Sequence, residues 1–302
     1  MPIPSSLSRS ADAAVRKLAD FGHTHPTLFI AAAVAGVTLP PTLLAVFRAA
    51  ARSYHGYLDV GRGGIPHNIV GWMVQGLGQL IAIRDPLATL PFEKPSRAVL
   101  ARYGDGGRQS YLETDLLPRA GAEGAAGAGL DKATRKQAGR PIIPAYVAPQ
   151  RQISQKGEPA TRKDQDAFLQ SLAAANPDIL DIRPSQLEGN ETPALFAKQG
   201  LKLGTPFWSL SSQAARGPVE IVHTHAEGST HMIFSLQDAL RVVQNGWGER
   251  HLLAGSRGAT IPLTYLIVYA PRDDVELMVW KTLALASVRF CVGGVELNEG
   301  KQ

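Results

Sequence analysis

Cysteine is all but missing: Cys291 is the only one in 302 residues. That excludes an intramolecular disulfide framework and any multi-thiolate zinc site, and it fits a reducing compartment. Dense basic runs are missing too. The formal charge of +5 comes from scattered cations, so no stripe follows a phosphate backbone and nucleic acid is not an expected partner. There is no P-loop, no convincing dinucleotide fingerprint and no apparent repeat, which leaves no cofactor motif to build on. What is present is a globular balance, 44% hydrophobic and 19% charged residues.

Charge is also lacking locally. "TLFIAAAVAGVTLPPTLLAVF", Thr27 to Phe47, carries none over 21 residues, and about 20 apolar residues suffice for a helix to cross a bilayer. Arg9, Arg16 and Lys17 precede it, and Arg48 and Arg52 follow. The stretch is longer and begins later than a cleavable signal peptide. The expectation is a single-pass membrane anchor, kinked at Pro40 and Pro41, with the C-terminal body in the cytosol. A buried pair of short helices broken at the prolines is the alternative.

The rest divides by pattern. Residues 1–26 read as a tail, 27–52 as the anchor and 53–103 as a helical, membrane-proximal segment. In it Ile69, Val70, Trp72, Met73, Leu77 and Leu80 recur at helical spacing behind a capping Asn68. Residues 104–140 are rich in Gly, Ala and charge and read as a flexible insertion. Residues 141–302 read as a compact α+β domain, one sheet backed by helices. "DQDAFLQSLAAANPDIL" is a helix with Phe168, Leu169, Leu172 and Ala173 on one face. "LKLGTPFWSLSSQ", "VEIVHTH", "STHMIFSL" and "LTYLIVYAP" are strand-like. "LQDALRVVQNG" and "DDVELMVWKTLALASVRFCVGG" are helices.

Three of the eight histidines fall inside "VHTHAEGSTH". Strand alternation puts His223 and His225 on one face. His231 joins them if the hairpin loop has three or five residues, and faces away if it has two. Proton transfer, substrate contact and metal ligation all suit such a set, and three histidines can complete an open metal site. Gly217, five residues and then His-x-His partly mimic the cupin metal motif, but Glu227 comes too early and no partner motif follows. Other groups stand nearby in sequence. Trp247, Arg250 and His251 lie in "NGWGERHLLAG", where Trp247 reads equally as core or platform. Tyr269 and Arg272 end a strand, Arg272 being able to pair with a neighbouring acid and Asp273 to cap a helix. Gln150, Arg151 and Gln152 form a polar cluster that is either a solvated loop or an edge reaching into a pocket.

"EIVHTHAEGSTHMIFSL", "NGWGERHLLAG" and "LIVYAPRDDVELMVW" occur in the order seen in fungal luciferases and their non-luminescent relatives. "YLDVGRGGIPHNIVGW", "RPIIPAYVAPQRQISQ" and the N-terminal apolar span match upstream. The chain therefore resembles that family over most of its length, the Gly/Ala-rich insertion excepted. The resemblance implies an endoplasmic reticulum (microsomal) membrane enzyme, a monooxygenase-type oxidoreductase. Its substrate would be 3-hydroxyhispidin, a styryl α-pyrone, with molecular oxygen as co-substrate and no organic cofactor or metal. The product is a peroxide that loses carbon dioxide, with bioluminescence in some members. It also points to His223, His225, His231, Trp247, Arg250 and His251. On this view one of His223 and His225 is the base that makes the enolate and the other orients it. Arg250, with His251 or His231, stabilises the oxygens in a dry cavity shared with the imidazoles. In the competing readings His223, His225 and His231 are metal ligands, or merely line the ligand pocket of a non-catalytic, non-luminescent small-molecule-binding protein.

Overall fold

The computed structural model describes residues 16, 17, 20, 21, 23–112, 139–198, 219–256 and 261–298. The strand-like segment 201–213 and most of the Gly/Ala-rich insertion lie outside these. The chain divides into two units, 1–56 and 57–302.

The first unit's described part is dominated by α1 (Pro26–Asp59), whose helical backbone runs through Pro40 and Pro41 without breaking. The expected transmembrane helix over 27–52 is corrected here. Among the described residues no helix is long and apolar enough to cross a membrane. α1 does not end with its apolar run. Exposed Leu43, Leu44, Val46 and Phe47 continue on the same helix into Arg48 and Arg52. The single-pass placement in the endoplasmic reticulum membrane, with a cytosolic body, loses its basis with it.

In the second unit, α2 (Ile69–Gly78) starts where expected. Asn68 Oδ1 accepts from the amides of Val70 and Gly71 and so satisfies two of the orphan donors of the first turn. Its burial is inverted, however: Gly71 and Gln75 face inward while Ile69, Val70, Met73 and Leu77 are exposed. Gly71 is required there, since a Cβ would stand 1.8 Å from the Pro66 carbonyl oxygen and 2.5 Å from Tyr57 Oη. Short helices α3 (Leu90–Glu93) and α4 (Arg97–Tyr103) follow, the latter capped by Ser96.

Among the described residues the body is a six-stranded antiparallel sheet in the order β1-β2-β3-β4-β6-β5. Its strands are β1 (Leu180–Ser185), β2 (Gly189–Ala197), β3 (Val219–Thr224), β4 (Thr230–Ile233), β5 (Gly248–Arg250) and β6 (Tyr265–Val268). Helix α5 (Pro159–Ala175) buries Phe168, Leu169, Leu172 and Ala173, the face read from its periodicity. Helix α6 (Leu236–Gln244) is capped by Ser235, and α7 (Asp274–Cys291) by Asp273, whose side chain accepts from the Glu276 amide. α5 and α7 cover one sheet face. Thr224 Oγ1 donates to Asp166 on α5, and Trp280 Nε1 on α7 donates to Thr230 Oγ1. Directly paired residues share a face. Thr224, Thr230, Met232, Leu266 and Val268 therefore form the helix side, while His223, His231, Ile267 and Tyr265 face the other way.

Candidate functional site

The β3–β4 hairpin sets the geometry. His225 N–H donates to the Ser229 carbonyl, leaving a three-residue loop, Ala226 to Gly228, and pairing His223 with His231. Gly228 has φ +93, which an L side chain would strain. The odd loop length puts His231 on the face of His223 and His225. All three imidazoles are buried, and their ring centroids lie 4.8 to 5.2 Å apart. The loop is held from α5, where Gln165 Nε2 donates to the Gly228 carbonyl and Arg162 Nε to that of His225.

Two carboxylates reach the imidazoles by routes no strand alternation reveals. Leu195 pairs with Val222 but Phe196 with Glu220, so Ile221 is an extra residue in β3, a bulge. The bulge turns Glu220 onto the histidine face, where its Oε1 accepts from His223 Nδ1 at 2.6 Å. Glu220 also accepts from Ser185 Oγ and from the Gln186 amide, both at 2.7 Å. Ser185 Oγ in turn accepts from the Leu187 and Glu188 amides. This network fixes the β1–β2 turn so that Glu188 enters the cluster. Glu188 Oε1 lies 3.5 Å from His225 Nε2 and 3.8 Å from His223 Nε2, while Oε2 pairs with Arg151 Nη2 at 2.5 Å. One ligand atom each from Glu188, His223, His225 and His231 lies within 4.8 Å of the others, so these four can hold a metal ion.

The outer ring atoms are also engaged. His225 Nδ1 stands 2.8 Å from Ser229 Oγ, which donates to Glu227 Oε1 at 2.5 Å. His231 Nε2 faces Gln150 Oε1 at 3.4 Å, and Tyr265 stacks on the His231 ring at 4.8 Å. His251 joins as a fourth ring, 5.2 Å from His231. His225 Nε2 is buried and makes no hydrogen bond.

Burial and neighbouring charge divide these groups electrostatically. Burial pushes the Glu188 carboxyl up, but His225, Arg151 and His223 together outweigh it and hold it down, at about 2. Burial lowers His225, yet Glu188 and Glu227 raise it above the ordinary imidazole value. His231 is driven well below that value, by burial first and then by repulsion from His225 and His223. Burial likewise lowers His251 to about 4. The protonated form is therefore favoured at His225, beside Glu188, and disfavoured at His231 and His251.

Of the residues singled out in the sequence, His223, His225, His231, His251, Gln150 and Arg151 converge. The loop reading of 150–152 gives way, since all three side chains are buried. Gln152 is a tether whose Oε1 accepts from the Ala270 amide. Arg250 does not join. It pairs with Leu266, one residue from the partner of His231, so alternation turns it to the opposite sheet face. There its Nη2 donates to the Ala254 carbonyl and its guanidinium stands 5.8 Å from the Phe92 ring. The shared cavity expected for Arg250 and the imidazoles is thus not what the geometry gives, and the guanidinium beside the cluster belongs to Arg151. Trp247 is part of the hydrophobic core. Tyr269 donates to Glu249, which Arg140 also binds in a two-pronged contact. Arg272 pairs with Glu276 at the start of α7. Glu188, Glu220, Ser229 and Tyr265 were not legible. The acids come through a turn and a bulge, and only the serine lay within the histidine motif.

Fold and cluster together define an α+β protein with four buried histidines and neighbouring carboxylates on one sheet face. Residues 218–287, which run from this hairpin into α7, match the Luciferase domain. The chain is similar to proteins named Luciferase from Armillaria gallica and Armillaria ostoyae, 26% identical over 244 residues, covering 79% of this chain and 80% of each relative. The Luciferase of Neonothopanus nambi matches at 25% over the same share. The chain thus carries a match to the Luciferase domain and resembles fungal luciferases along most of its length. No solved structure matches it.

Proposed function

We propose that this protein is a luciferase-like oxygenase acting on a small acidic enol, of the 3-hydroxyhispidin type, with molecular oxygen. The observation carrying the reading is the convergence of His223, His225, His231 and Glu188 in a buried pocket beside the Arg151 guanidinium. Imidazole nitrogens and a carboxylate can receive the enol proton. Positive charge at His225 and Arg151, in a place closed to water, favours the enolate that results. The electron-rich enolate carbon gives electrons to oxygen, a carbon–oxygen bond forms, and the peroxide loses carbon dioxide. His251 and Tyr265 flank the His231 ring and would contact an aromatic pyrone. Relatives named Luciferase, matching four-fifths of the chain at about a quarter identity, support the oxidoreductase class.

The test is direct. Purified full-length protein is mixed with 3-hydroxyhispidin while oxygen uptake and light are recorded together. Uptake is expected, and His225→Ala should abolish it while the protein remains folded. Light with uptake identifies a luciferase, and uptake without light a dark oxygenase. No uptake with this pyrone or related enols overturns the proposal.

A further inference from the structure

We infer that Glu188, His223, His225 and His231 bind a single divalent first-row transition-metal ion. The inference concerns the same pocket as the proposed function but does not depend on that reaction.

The ring atoms facing away from the cluster fix where the imidazole protons sit. Glu220 already accepts from Ser185 Oγ and the Gln186 amide, so it meets His223 Nδ1 as a further acceptor, and Nδ1 carries the proton. Ser229 Oγ gives its hydrogen to Glu227, which leaves a lone pair toward His225 Nδ1, so that nitrogen also carries its proton. The Gln150 amide is oriented by donation from Nε2 to the Arg250 carbonyl, which turns its oxygen to His231 Nε2. Each outer nitrogen is therefore a donor. In neutral rings the inner nitrogens, His223 Nε2, His225 Nε2 and His231 Nδ1, are then bare lone pairs.

Those lone pairs converge. His223 Nε2 and His231 Nδ1 are 3.1 Å apart, two acceptors at hydrogen-bond distance with no proton assigned to either. His225 Nε2 is buried without a hydrogen bond. A proton on His225 relieves its contact with Glu188 but leaves the His223–His231 pair opposed. One cation between all four atoms relieves every one of these contacts.

The spacing fits. Ligands about 2.1 Å from one ion stand about 3.0 Å apart at a right angle and about 3.4 Å apart at the tetrahedral angle. Three of the six separations are 3.1, 3.5 and 3.8 Å, and all lie within 4.8 Å, so the widest must close by a few tenths of an ångström around an ion. Hydrogen bonds from the outer ring nitrogens to a carboxylate, a hydroxyl and an amide oxygen are the supports that orient metal-bound histidines. Glu188 offers one oxygen because Arg151 holds the other. Three imidazoles and one carboxylate suit zinc, iron, nickel or copper better than magnesium or calcium. With the ion in place its charge, in the position of a protonated imidazole, would hold an enolate oxygen.

The experiment uses the full-length protein, purified from cells supplied with first-row metals and measured by elemental analysis. It is then stripped and titrated with cobalt(II) while visible absorption is recorded. About one ion per chain is expected, with a cobalt band saturating at one equivalent. His225→Gln and Glu188→Gln should lose the band, and Glu220→Gln should weaken cobalt binding about 10- to 100-fold. His67→Gln, outside the pocket, should match the parent, and circular dichroism shows that each variant is folded. Substoichiometric metal with no cobalt band overturns the inference, as does a band unchanged in the folded ligand variants. Metal binding without pyrone turnover supports the site and counts against the reaction proposed above. Turnover by a protein that shows no cobalt band supports that reaction and overturns the site.

Discussion

Glu220→Gln tests whether the bulge at Ile221 builds the site. The carboxylate accepts three hydrogen bonds, from His223 Nδ1, Ser185 Oγ and the Gln186 amide, and its side chain is 6% exposed. An amide of the same shape has one acceptor oxygen. If that oxygen takes the place of Oε1 and keeps His223 and Ser185, an NH2 group meets the Gln186 N–H, donor against donor. The two retained bonds also lose their charge assistance. Hydrogen bonds to charged groups contribute about 1.5 to 3 kcal/mol, and stranding a buried donor costs about 1 to 3. Because these terms overlap, we expect a total loss of about 2 to 4 kcal/mol. The assay is equilibrium urea unfolding followed by tryptophan fluorescence, with thermal unfolding beside it. A domain of this size loses roughly 2 to 4 °C in Tm per kcal/mol, so the midpoint should fall by about 4 to 16 °C. Glu191→Gln removes an exposed carboxylate from the same region of sheet and should stay within about 0.5 kcal/mol of the parent. A Glu220→Gln variant as stable as Glu191→Gln would refute the idea that this carboxylate organises the pocket.

Arg250→Met should cost about 1.5 to 3 kcal/mol by stranding the buried Ala254 carbonyl, yet leave oxygen uptake per folded molecule within a few-fold. A large drop in uptake would return Arg250 to the chemistry. Gly64→Ala should destabilise by about 3 kcal/mol or more, because its Cβ would meet the Leu187 carbonyl oxygen at 1.8 Å, and urea unfolding reads the loss. Cys291 is fully buried, and burial pushes its thiol pKa up. It should therefore resist alkylation in native protein and react at once in denaturant, as mass spectrometry of the labelled chain can show. Burial raises the Tyr103 phenol above its ordinary value of 10.0. A group that holds its proton more tightly when folded stabilises below its unfolded pKa and loses that contribution as pH rises past it. Stability should thus fall above about pH 10 less steeply in Tyr103→Phe than in the parent, measured by unfolding at pH 9 to 11.

Much of the framework was legible because it depends on local periodicity. The 3.6-residue pattern of Phe168, Leu169 and Leu172 fixes the buried face of α5, and Asn68 and Asp273 cap their helices because a side-chain oxygen there meets free amides. Period-two alternation likewise puts His223 and His225 together. Three outcomes needed the tertiary structure. Alternation alone would turn Glu220 away from His223, and a one-residue bulge reverses it. Glu188 stands 35 residues before His223 in the chain, and only the Ser185–Glu220 network carries it in. Arg250 sits beside His251 in sequence, yet pairing with Leu266 sends its side chain through to the other face. Sequence determines which side a residue takes within one regular strand. Which strands neighbour one another, where a strand slips by one, and what a turn brings across are settled by long-range pairing, which short windows of sequence do not contain.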